Sequence, residues 1–406
     1  MTNLVKIMLK PGKEAPVRRF HPWIFSGAIS SLEGTPHEGD VVEVLSHRRE
    51  YLATGHYFSG NIAVKIFSFS QTSASLAFWK TKLLAAYDLR KRIGHTDDPS
   101  NTAYRLVNSE GDGLPGLIID NYDGVFVLQT DSQGMSQAKP AIAEALKEIF
   151  NDKLKVVFDK STETSGRLEI LQAAGLPVET VDSPSENFIV GSSGPVEIVE
   201  TGHHFMVDFV HGQKTGFFLD QRGNRMFAQY YGRGRKVLNA FCYSGAFSVY
   251  AAKGGAKSVH SIDSSRQAIG WTKENMELNG VPGNLHTEEV ADVKRFLTQT
   301  NEQYDMIILD PPAFAKHHNV SHNALQAYIY INGQAMKRLN PGGILFTFSC
   351  SQAINREMFR SAIQAAAIET GRQIKILHQL SQGPDHPVSI FHPEGEYLKG
   401  LILAVE

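Results

Sequence analysis

The 406-residue chain is poor in cysteine: it holds Cys242 and Cys350 and no Cys-x-x-Cys pair. Two isolated thiols exclude a disulfide framework and a cysteine-built zinc site. They fit a reducing, cytosolic setting. Long apolar runs are missing too, and none approaches the ~18 residues of a membrane span. The N-terminal stretch MTNLVKIMLKPGK has no apolar signal core followed by a small-residue cleavage site, so a cytoplasmic protein is expected. Nor is there an excess of one charge. Lys and Arg number 40 against 42 Asp and Glu, a net charge of −2, so overall charge gives no attraction for nucleic acid. Charge is uneven locally. Lys6, Lys10, Lys13, Arg18 and Arg19 face only Glu14 near the N-terminus, and Arg222, Arg225, Arg233, Arg235 and Lys236 form a second run without an acid. Such runs are usually solvated surface. Two of them bracketing a catalytic domain strengthen an RNA-binding reading, with Arg18, Arg19 and Arg222 as the candidate contacts.

The remaining composition is that of an ordinary globular protein, 42% hydrophobic and 20% charged. Its patterning divides into three. Residues 1–72 are short alternating segments between turn signals, which predicts a small β-barrel. Residues 73–185 begin with a helix over 76–95. Short strands with Gly-Asp-Gly, Pro-Gly and Asp-Gly turns follow, then a helix over 138–150 and a strand over 154–158, an α+β middle domain. Residues 186–406 open on a hairpin, GPVEIVETGHHFMVDF, and then alternate strand and helix from 236 onward. Seven strands with five crossover helices imply a doubly wound, Rossmann-like α/β sheet, its last two strands antiparallel. Ligands in such sheets sit at the carboxyl ends of the strands.

The first of those ends carries another deficit. The turn Cys242-Tyr243-Ser244-Gly245 has one glycine where a dinucleotide-binding Gly-x-Gly-x-x-Gly has three. With no pyrophosphate to cradle, the single Gly245 suits S-adenosylmethionine, letting backbone approach the ligand at the helix start. Asp263, after the second strand, can accept both ribose hydroxyls. Asp292 and Val293, after the third, can meet the adenine. Both acids also stand where helix N-caps are expected. Cys242, Ser244, Ser264, Asn275 and Asp220 complete the expected cofactor contacts. Asp310-Pro311-Pro312-Ala313-Phe314, after the fourth strand, makes a rigid turn that can hold a flat base, with Asp310 shared between cofactor and catalysis. Cys350, after the fifth, is a candidate nucleophile: a thiolate adding to C6 of a pyrimidine makes C5 reactive toward a methyl sulfonium. Cys242 reads as pocket lining. His317, His318 and His322 have metal-like spacing but no acid or cysteine to complete a site, and no metal is expected.

These strings resemble the bacterial large-subunit ribosomal RNA cytosine-C5 methyltransferases with an N-terminal PUA domain. HPWIFSGAI and YLATGHYF resemble the PUA part, YRLVNSEGDGLPGLIID the middle domain, and QKTGFFLDQRGNR, NAFCYSGAFS, LDPPAF, FTFSCS and EGEYLKG the catalytic part. The resemblance implies S-adenosylmethionine as donor and RNA as acceptor. Wider RNA cytosine-C5 enzymes carry a second cysteine after the fourth strand, where this chain has Asp-Pro-Pro-Ala-Phe; the single-cysteine arrangement matches the subgroup. Three other readings stay open at this point: uracil-C5 methylation, exocyclic-amine methylation at the acid–Pro–Pro turn, and a non-catalytic RNA-binding factor. A homodimer is compatible with the sequence.

Overall fold

The computed structural model describes residues 4–161, 187–314 and 321–406. Contacts divide the chain into two compact units. One comprises Met1–Ile198, Val207–Leu219 and Pro384–Gly395, the other Val199–Met206, Asp220–Gly383 and Glu396–Glu406.

The first unit holds two sheets. Six strands, β1 (Val5–Leu9), β2 (Trp23–Phe25), β3 (Ile29–Glu33), β4 (Val41–Leu45), β5 (Tyr51–Tyr57) and β6 (Ile62–Ser68), pair in the order β2-β6-β5-β4-β1-β3. Alternation puts Ile7 and Leu9 of β1, Val42 and Val44 of β4, and Val64 and Ile66 of β6 into one self-contained core. The second sheet is β11-β10-β9-β8-β7, built from β7 (Ala103–Asn108), β8 (Leu117–Tyr122), β9 (Val125–Thr130), β10 (Val156–Asp159) and β11 (Phe188–Val190). Trp79 and Leu83 of the helix Leu76–Arg92 and Ile142 and Leu146 of the helix Gln133–Phe150 pack on it with Leu106, Ile119 and Leu128. The second helix starts earlier than 138 because Ser132 caps it, accepting from the amide of Met135.

A hairpin, β12 (Val196–Glu200) and β13 (His203–Val207), carries the chain into the second unit. There β14 (Lys236–Ala240), β15 (Ser258–Asp263), β16 (His286–Val290), β17 (Tyr304–Leu309), β18 (Leu339–Ser349), β19 (Ile374–Leu380) and β20 (Lys399–Val405) form one sheet, ordered β16-β15-β14-β17-β18-β20-β19. The first five run parallel, and β20 is antiparallel to both β18 and β19, as the strand–helix pattern predicts. Order reverses between β14 and β17, so a crevice for ligand opens at their carboxyl ends. The apolar runs of β17, β18 and β20 reflect burial on both faces, while β16 and β19, at the two edges of the sheet, are largely exposed.

The second basic run is only partly on the surface: Arg222 and Arg225 are buried, Arg233 is exposed, and Arg235 and Lys236 are half-buried. Glu200, fully buried, accepts from Nε of Arg225 at 2.8 Å, from its Nη2 at 2.6 Å, from Nε of Arg222 at 3.3 Å and from the Tyr250 hydroxyl at 3.0 Å. Lys236 pairs with Glu302, and Arg235 donates to the carbonyl of Tyr231. Arg222 is therefore corrected from RNA contact to structural cation: its guanidinium is spent on a buried carboxylate that lies 22 residues earlier in the chain.

Candidate active site

The turn after β14 is strained on purpose. Phe241, Tyr243 and Gly245 have φ of +62°, +48° and +76°. Two of the three are not glycine, which costs on the order of 1 kcal/mol each and persists only where surroundings hold the backbone. They do. The Tyr243 amide donates to Asp263 Oδ2 at 3.0 Å, and the Gly245 amide to the Cys242 carbonyl at 2.8 Å. The Tyr243 carbonyl accepts from the Thr272 hydroxyl at 2.8 Å and the Ser244 carbonyl from Asn275 Nδ2 at 2.9 Å. The turn is thus fixed to the next strand and to the helix Arg266–Leu278 before any ligand arrives.

A Cβ on Gly245 would lie 2.6 Å from Thr272 Cγ2, so its left-handed φ and the close helix packing both require glycine. Asn275 is fully buried and uses both ends of its amide on protein, Nδ2 on Ser244 and Oδ1 on the amide of Met206 at 2.8 Å. It braces the turn.

Asp263 ends β15 half-buried, its oxygens accepting from the Tyr243 and Ser265 amides. Ser265, not Asp263, caps the following helix, so the acid is not there as a cap. Each carboxylate oxygen keeps further acceptor capacity, which donating ribose hydroxyls require. Ser264 beside it is exposed. Asp292 is exposed and does cap the helix Val293–Gln299, accepting from the Arg295 amide at 2.7 Å. The Val293 side chain lies in the core, which leaves only its backbone for a cofactor. Acids at the ends of β15 and β16 beside a rigid turn at β14 fit an adenosyl group, and the donor they would hold supplies an electrophilic methyl.

Cys242 is buried, its Sγ 3.5 Å from Thr272 Oγ1, and burial pushes the thiol up to about 12. A thiol so held stays protonated, which agrees with its reading as lining. Cys350 is only half-buried and immediately follows β18. Leu309 of β17 registers with Thr347 of β18, so Asp310 and Cys350 leave neighbouring strand ends. The buried phenol of Tyr328 lies 3.1 Å from Ser351 Oγ; burial raises its pKa first, and the charges of Cys350 and Asp310 add to the rise. Asp310 accepts from Gln221 Nε2 at 3.0 Å, and Gln221 Oε1 in turn accepts from Asn224 Nδ2 at 2.6 Å. Asp220, nearly buried, accepts from the Tyr397 hydroxyl at 2.6 Å. Pro311 is buried and Pro312 exposed, while the Phe314 ring packs edge-on against Tyr328 at 4.9 Å. His317 and His318 lie outside the described residues, and His322 is exposed on the helix Ser321–Lys337.

Sequence reasoning missed Tyr328, Tyr397 and Lys399. Lys399 Nζ donates to the carbonyls of Ser351 and Tyr397, both at 2.7 Å, within reach of the Cys350 charge. In the sequence it is one lysine in an apolar strand, and its position across from Ser349 is visible only in the pairing of β18 with β20. Arg18 and Arg19, in the first unit, are exposed, Arg18 in a surface pair with Glu50.

Comparison with known proteins bears on this geometry. A family model for S-adenosylmethionine-dependent methyltransferases matches residues 127–391, and one for PUA-like domains residues 7–69. Ribosomal RNA large subunit methyltransferase I of Klebsiella pneumoniae (strain 342) is 35% identical over 407 residues, 98% of each chain. The enzyme of the same name from Shewanella denitrificans is 36% identical over 411 residues, 99% of each chain. A Streptococcus mutans structure, provisionally described as a SAM-dependent methyltransferase, superposes with a TM-score of 0.81 at 22% identity, covering 99% of this chain and all of that one.

Proposed function

The chain belongs to the S-adenosylmethionine-dependent methyltransferases, and from that membership we propose that it forms 5-methylcytosine in large-subunit ribosomal RNA, in the cytoplasm, with Cys350 as nucleophile. The observation that carries the reading is a half-exposed thiol at the end of β18, beside Asp310 at the end of β17, in a chain whose other thiol is buried and held protonated. The ribosomal substrate is carried by full-length relatives named for it.

The residues divide the work as follows. Asp263 and the 241–245 turn orient the donor. Asp310, held by Gln221, accepts from the exocyclic amine of the base, and Pro311, Pro312 and Phe314 keep its turn rigid. Cys350 forms a bond to C6, and the C5=C6 electron pair makes C5 nucleophilic. The new C5–methyl bond forms as the methyl–sulfonium bond breaks, its pair leaving on sulfur. A base removes the C5 proton, that pair restores C5=C6, and the C6–S bond returns its pair to the thiolate. Amine methylation needs no cysteine, which makes Cys350 the discriminating residue.

Nucleosides from ribosomal RNA of a strain lacking the protein are expected to lose one 5-methylcytidine, restored by the wild type and not by Cys350→Ala. RNA with 5-fluorocytosine at the target is expected to trap an adduct on Cys350 that requires S-adenosylmethionine, because fluorine cannot leave as a proton. Near-normal activity of Cys350→Ala, or an N-methylated product, would transfer the reading to amine methylation; 5-methyluridine would move it to uracil.

A further inference from the structure

We propose that Lys399 is the cation that holds Cys350 as a thiolate, a role that rests on the nucleophile reading above. The placement follows from strand pairing. β20 runs antiparallel to β18 with Lys399 opposite Ser349, so the first residue of β20 lies beside the residue that leaves β18. Lys399 is 4% exposed, a rare state for a lysine. Its two bonded partners, the carbonyls of Ser351 and Tyr397, are neutral and position the ammonium without cancelling its charge. A buried cation is costly unless a negative charge forms near it. Cys350 precedes the residue whose carbonyl Lys399 binds, and its charge favours the protonated lysine.

Other groups face the pair. Arg356, on the helix Arg356–Thr370, and Glu396, ahead of β20, bond to each other and oppose one another in their effect on Lys399. Tyr328 is buried with its pKa raised, so it stays neutral and adds no charge to the pair. Asp310 adds negative charge on the β17 side, which disfavours a thiolate. Lys399 thus opposes Asp310. Burial brings its own pKa down to about 8, which leaves it charged at neutral pH.

A lysine that only staples the 351 turn through carbonyls would brace the loop without touching the thiol's titration. The test is therefore the pH dependence of Cys350 alkylation by iodoacetamide in the full chain, read by peptide mass. Cys242, buried and pushed up to about 12, stays silent. In the wild type the midpoint is expected at least about one unit below the ~8.5 of an ordinary thiol. Lys399→Met is expected to raise it by about one unit or more, and Lys399→Arg to retain most of the depression. A wild-type midpoint near the ordinary value overturns the proposal, and this measurement needs no variant to fold. So does an unchanged midpoint in a Lys399→Met protein that still binds S-adenosylmethionine. A depressed, Lys399-dependent midpoint without a 5-fluorocytosine adduct would retain the ion pair and remove the nucleophile reading, so the two fail separately.

Discussion

At the scale of single residues, the same amino acid takes opposite roles according to what surrounds it. Asp263 ends a strand and Asp292 follows one, each just ahead of a helix, but only Asp292 closes its helix by capping. Asp263 holds the Tyr243 amide and remains half-buried at the mouth of the crevice. Asp263→Ala is expected to weaken S-adenosylmethionine binding by about 1–3 kcal/mol, the scale of a hydrogen bond to a charged group. Isothermal titration of variant and wild type measures it, and equal affinity would remove Asp263 from the cofactor site. The residue types of the site were legible because strand-end acids and a strand-end cysteine have few uses beyond chemistry or capping. What their neighbours do was not. Asn275 looks like a ligand on a helix face, and only the Ser244 carbonyl and Met206 amide on either side of it reveal a brace.

At the scale of elements, the alternation of strand and helix fixed the seven-stranded sheet and its antiparallel end, because two-sided burial writes a near-continuous apolar signal into its central strands. The basic run misled for the converse reason. The helix Arg222–Gly232 draws its neutralising acid from β12, and no local pattern reports a partner so distant in sequence. That pairing makes a stability prediction. Glu200→Ala leaves two buried guanidinium groups without their carboxylate, and breaking a buried pair this way costs about 3–5 kcal/mol. Chemical denaturation is expected to show the loss in the Ala variant. A change below about 1 kcal/mol, the level of an exposed pair, would mean that water reaches the cluster.

At the scale of the whole molecule, RNA recognition by the first unit is best tested without cutting the chain. A boundary after residue 72 runs through an aromatic cluster: Trp79 lies 5.8 Å from Phe67 of β6, 6.4 Å from His56 of β5 and 5.1 Å from Phe78. The helix Gln133–Phe150 presses equally close, since a Cβ on Gly134 would sit 2.3 Å from His56 Cγ. Removing residues 1–72 would strip Trp79 of its cover, and weaker RNA binding would then report unfolding as readily as lost contacts. Arg18 and Arg19 avoid this, because both are exposed and the Arg18–Glu50 surface pair is worth at most about 1 kcal/mol. If they contact phosphates, each contributes roughly 0.7–0.9 to the slope of log affinity against log salt. The double variant Arg18→Ala with Arg19→Ala is expected to flatten that slope by about 1.4–1.8 while S-adenosylmethionine affinity stays at the wild-type value. The charge of the chain as a whole, −2, cannot supply such a slope, so its origin must be local. Filter binding across a salt series decides it: an unchanged slope would make these two arginines ordinary surface and leave RNA binding to groups elsewhere on the chain.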